Sequence, residues 1–150
     1  MTISAKDKEL AAVGISVAAG CKPCTDHHVT VARKARATDE EIRAAIAEAL
    51  AVRGRAAEIM RAYALSHFGA TASPDVAEDT GESRVGALIR VGAAFAVNCT
   101  ASLEHALAAA RRAGIAPDEV AEIVKLAGFI RSRAISHVEK LVDIGAAADP

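Results

Sequence analysis

Tryptophan is absent from this chain, tyrosine occurs once and phenylalanine three times. A core so poor in rings must be filled by Ala, Val, Ile and Leu, and small side chains favour closely packed helices. Cysteine is scarce too. Three residues are too few, and odd in number, for a disulfide-stapled secreted scaffold, so a reducing, cytoplasmic setting is expected. No uninterrupted apolar run approaches the length a membrane span needs. Neither sign of charge dominates: 18 Lys and Arg stand against 19 Asp and Glu, for a formal net charge of −1. With both signs interspersed, neither nucleic acid nor an anionic membrane is expected as partner. A basic leader is also lacking. The small and apolar stretch 10–20 runs into Gly20-Cys21 like a lipoprotein signal, but Asp7 and Glu9 offset Lys6 and Lys8, so export is not expected.

What remains is a composition of 52% hydrophobic and 25% charged residues over 150 positions, which suits one globular domain with a real core. Ala, Glu, Leu, Arg and Lys fill the stretches between a few stops, so the reading is all-α. Ser4-Ala-Lys-Asp7 resembles a capping box that opens a first helix, with Leu10, Val13 and Val17 at helical spacing and a halt at Gly20. Lys22-Pro23 suits the first turn of a second helix running to about Arg36, because proline lacks only an N–H that would be unpaired there. Thr38-Asp-Glu-Glu41 caps a third, long helix that carries Ile42, Ile46, Ala49 and Leu50 to about His67, with Gly54 as a possible kink. Gly69, Ser73, Pro74, Asp79 and Gly81 mark residues 69–82 as a linker.

The chain also resembles itself. Residues 9–56 align without a gap on 87–134, pairing Leu10 with Leu88, Val13 with Val91, Gly14 with Gly92, Cys21 with Cys99, His27 with His105, Arg33 with Arg111, Glu41 with Glu119, Arg53 with Arg131 and Arg55 with Arg133. Alanine richness does not account for Cys, His and three Arg recurring in one register. Two related three-helix units follow, about 5–67 and 83–145, packed as a single domain. The copies differ in their ionisable groups. Cys24 becomes Ser102, His28 becomes Ala106 and Glu9 becomes Ala87, so only the first unit holds the full set.

That set is dense. Cys21-Lys-Pro-Cys24-Thr-Asp-His27-His28 places a dithiol beside two imidazoles at a helix start, where unpaired N–H groups and the helix dipole stabilise thiolate. Residues three and four apart share a helix face, so both His27 and His28 are candidates to contact Cys24. His28 is preferred as the base, because His27 recurs as His105 beside a half-site with no dithiol, which assigns it a shared structural role. Cys21 has the spacing of a resolving thiol.

Glu9, Cys21, Cys24 and His28, at these spacings, resemble the signature of the alkylhydroperoxidase D (AhpD)-like proteins within the carboxymuconolactone decarboxylase superfamily. The resemblance implies an AhpD-like helical bundle and a peroxidase in which Cys24 attacks, Glu9 and His28 assist and Cys21 resolves. It implies no bound cofactor, a peroxide substrate, an external dithiol donor of the lipoylated kind, and a homo-oligomer, most plainly a trimer. Pro23 stands where AhpD has a histidine, and the motif lies in the first unit rather than the second. The decarboxylase branch does not depend on a C-x-x-C pair, which argues against that activity.

Other readings are a disulfide reductase serving a separate peroxidase, or a non-enzymatic helical oligomer with a redox-sensing or structural dithiol. Metal is not expected, because none of His67, Cys99 and His137 completes a recognisable ligand spacing. His67 and His137 receive no role. The repeated arginines are expected to form structural ion pairs, since no Gly-rich loop accompanies them.

Overall fold

The Ser4 hydroxyl accepts the Asp7 amide at 3.0 Å, which starts α1 (Ala5–Ala18), and Gly20 at φ +71° ends that segment. The computed structural model describes residues 2–69 and 83–142, and the expected linker lies outside them apart from Gly69. Among the described residues there are six helices and no strand. After α1 come α2 (Lys22–Lys34), α3 (Asp39–Ser66), α4 (Arg84–Ala96), α5 (Thr100–Arg112) and α6 (Pro117–Val142). The Thr38 capping box forms as expected, with the Glu41 amide donating to Thr38 and Glu41 accepting from the Thr38 backbone. α3 then runs unbroken through Gly54 to Ser66.

The sequence repeat recurs in backbone detail. Cys21 caps α2 at φ −96°, ψ 101°, and Cys99 caps α5 at φ −95°, ψ 102°. Left-handed Gly20 is matched by Asn98, and left-handed Arg36 by Gly114. Lys6 pairs with Glu41 at 2.8 Å, and Arg84 pairs with Glu119 at the equivalent place. Arg53 reaches the carbonyls of Val17 and Ala18, and Arg131 reaches that of Phe95. These two arginines thus close the C-terminal ends of α1 and α4, where a cation meets unpaired carbonyls and the negative end of the dipole. The ion-pair role expected for them is filled instead by carbonyl capping.

α1 and α4 form the centre. They pack on each other, and each also packs on α3 and α6. Residues 10–16 of α1 and 86–94 of α4 are buried without interruption. Such all-round burial marks an interior helix rather than an amphipathic surface one. Close approach depends on Gly14 and Gly92: a methyl group on Gly14 would lie 2.8 Å from Ile89, and one on Gly92 would lie 2.5 Å from Ile15. α2 lies on α1 and also reaches α6, while α5 lies on α4 and reaches α3. The second helix of each unit therefore also contacts the third helix of the other.

Candidate functional site

The dithiol is set by the entry to α2. Cys21 is its N-cap, and the Cys24 amide donates to the Cys21 sulfur at 3.2 Å. Pro23 falls in the first turn, where its missing N–H removes no helical bond. The two sulfurs are joined as a disulfide, with Cα atoms 5.3 Å apart. Cys24 lines a cavity of about 330 Å³, together with Pro23, His27, His28, Phe129, Ile130, Arg133 and His137. Cys21 does not line it and is 4% exposed. The helix-end stabilisation expected for Cys24 is thus shared: the direct amide bond goes to Cys21, while Cys24 faces the cavity.

Glu9 comes from α1 and reaches His28 on α2, Oε2 to Nδ1 at 2.9 Å, with both side chains mostly shielded from solvent. An ionised carboxylate only accepts, so Nδ1 carries the proton and Nε2 remains the basic nitrogen of the neutral ring. His27 is exposed and packs edge-on to His28 with centroids 4.9 Å apart. It lines the cavity wall beside Cys24 and His28.

Sequence reasoning missed the far wall. Phe129, Ile130, Arg133 and His137 all come from α6, and an imidazole nitrogen of His137 lies within 4.8 Å of both cysteine sulfurs. No local spacing flags His137, because its partners are more than a hundred positions away. The repeat register did carry a signal: His137 aligns with Ile59 and Phe129 with Ala51, so α6 differs from α3 where it faces the dithiol.

The second unit lacks this chemistry. Cys99 is buried and free, and accepts only the Ser102 amide, at 3.4 Å. Ser102 Oγ and His105 Nε2 are buried without a hydrogen-bond partner among the described residues.

Residues 2–67 match the family model described as carboxymuconolactone decarboxylase family. The match covers 66 of the chain's 150 residues, and that stretch is similar to this family. No curated protein and no solved structure gives a significant match. The matched stretch holds Glu9, both cysteines and His28, whereas the α6 wall of the cavity lies beyond it. Among the described residues, no helix is long and apolar enough to cross a membrane.

Proposed function

We propose that this protein is a thiol peroxidase that reduces alkyl hydroperoxides through the Cys21–Cys24 couple. The observation that carries the reading is the placement of Cys24 on a cavity beside a Glu9–His28 pair, with Cys21 already in bonding position. In the reduced state His28 takes the Cys24 proton. The thiolate attacks the O–O bond, forming the sulfenic acid and releasing the alcohol once the leaving alkoxide is protonated. Cys21 thiolate then displaces hydroxide, which leaves as water after protonation, and the disulfide forms.

The N-cap geometry supports the return step as well. An external dithiol can reach the Cys24 sulfur through the cavity and expel Cys21, whose developing thiolate accepts the Cys24 amide. A second attack within the donor closes its own disulfide and frees Cys24. The donor is therefore a dithiol, with a lipoylated partner as the proposal drawn from the family resemblance.

Association into a homo-oligomer, most plainly a trimer, is part of the same reading. Met60, Tyr63, Phe129, Ile135, Val138 and Leu141 are exposed apolar residues on the two long helices, and burial between subunits would remove them from water. Sedimentation is expected to show the oligomer at micromolar concentration, and a monomer would refute it.

The direct test is stopped-flow mixing of reduced protein with an organic hydroperoxide, followed by turnover with dihydrolipoamide, dithiothreitol or thioredoxin. Rapid oxidation and multiple turnovers with one dithiol support the peroxidase. Oxidation only by a disulfide-bearing protein would instead identify an electron donor to a separate peroxidase.

A further inference from the structure

We infer that, once the disulfide is reduced, Cys21, Cys24 and His137 form a binding site for a thiophilic divalent cation such as zinc. The inference rests on the dithiol of the function proposed above, but not on peroxide being its substrate. The two sulfurs and an imidazole nitrogen of His137 lie within 4.8 Å of one another, the only such trio of cysteine, histidine or carboxylate donors among the described residues. Zinc holds sulfur at about 2.3 Å and imidazole nitrogen at about 2.0–2.1 Å, so ligands of one tetrahedral ion sit roughly 3–4 Å apart. The trio is within side-chain adjustment of that geometry. The sequence argument against metal considered ligands near in sequence. Here the fold supplies the third from α6.

Charge and chemistry agree with the donor set. Two thiolates and an imidazole are soft to borderline donors that favour zinc over magnesium or calcium. Binding exchanges two thiol protons for one divalent ion, so the centre stays neutral and is not repelled by Arg133 on the cavity wall. The amide at the start of α2 already supports negative charge on Cys21. His28 stands outside the trio, its Nδ1 engaged by Glu9. Cys24 and His137 both line the cavity, so water can supply a fourth ligand.

Metal and disulfide are mutually exclusive states of the same two sulfurs. A bound cation ties up both thiolates, so it keeps the couple reduced and unable to attack. Oxidation of the sulfurs ejects the ion. The site therefore links the redox state of the dithiol to metal occupancy.

The test uses full-length protein, reduced with a phosphine, freed of reductant and kept anaerobic. Titration with Co²⁺ should give one equivalent per chain, with thiolate-to-cobalt charge-transfer and tetrahedral d–d bands that Zn²⁺ abolishes. The disulfide form should give no bands. His137→Ala and the bulkier His137→Gln should each weaken binding by about tenfold or more and shift the d–d band, with the far-UV helical signal unchanged. Cys99→Ala should bind as the native chain does. Absence of cobalt binding in the reduced chain, or equal affinity and spectrum in both His137 variants, would overturn the site. Peroxide turnover of the metal-free protein is read separately. Turnover without cobalt binding sinks the metal site alone, and cobalt binding without turnover sinks the peroxidase alone.

Discussion

Glu9 Oε2 and His28 Nδ1 meet at 2.9 Å between α1 and α2. The bond fixes both the tautomer and the ring plane, as carboxylates do for catalytic imidazoles. If His28 is the base for Cys24, His28→Ala should move the pH profile of Cys24 alkylation by iodoacetamide to higher pH. His27→Ala should move it less, because His27 touches His28 by its ring edge and has no carboxylate behind it. Equal displacements would remove the preference for His28.

The two thiols should separate cleanly. Cys24 lines the cavity and Cys21 does not, so Cys24→Ser should abolish reaction with peroxide. Cys21→Ser should still yield a sulfenic acid that dimedone traps, with no disulfide to follow. The reverse pattern would make Cys21 the nucleophile, a role its amide bond would also serve.

The helices and their caps were legible because each is a local matter. Ser4, Thr38 and Pro23 act within one turn of their own positions, and the matched residues recur in one register. Half of the candidate site was legible for the same reason, since Cys21, Cys24 and His28 share a helix start and Glu9 sits one helix earlier. The other half was not. His137, Arg133 and Phe129 join the cavity beside Cys24 only because α2 packs against α6, and those two helices lie on the central α1 and α4, which cross at Gly14 and Gly92. The carbonyl capping by Arg53 and Arg131 was hidden too, since a repeated arginine looks alike whether it meets a carboxylate or a helix end.

That crossing sets up a test of packing against propensity. In a helix interior, glycine to alanine normally stabilises by about 0.5–1 kcal/mol. Gly54 has open space around it, so Gly54→Ala should follow this rule. Gly92→Ala should not, because its methyl group would meet Ile15 at 2.5 Å and Ile123 at 3.2 Å in the fully buried centre. Overpacking of this kind costs about 1–3 kcal/mol. Urea denaturation of the two variants should therefore show opposite signs, and a stabilised Gly92→Ala would mean that the α1–α4 contact is looser than described.

Acid should act through Glu119. Its side chain is 1% exposed, and the Arg84 guanidinium and then the Ala116 amide hold its carboxyl below the ordinary value of 4.5. A carboxyl with a lowered folded pKa contributes stability that is present above its unfolded pKa and is lost as pH falls through the folded value. Glu119→Gln keeps a side chain able to accept the cap bond but loses the charge. It should be less stable than the native chain at neutral pH, and the gap should close in acid below about pH 4.5. A gap in urea midpoint that stays constant across that range would assign the effect to packing rather than to ionisation.

Cys99 tests whether the second copy takes part. Its sulfur is buried and meets the Ser102 amide where Cys21 meets Cys24, and the positions of the base and acid hold Ala106 and Ala87. Without a resolving thiol or a base it has no route to a cycling disulfide, and its weak sulfur cap is dispensable. Cys99→Ala should therefore leave turnover within about twofold of the native chain, an effect near 0.4 kcal/mol on the barrier. Mass spectrometry of peroxide-treated protein supplies the independent check. The expected product is a Cys21–Cys24 bridge with Cys99 free. A stoichiometric bridge from either cysteine to Cys99 would require the two units to bring those sulfurs within bonding distance, and would overturn both the assignment of Cys21 as resolving thiol and the silence of the second unit.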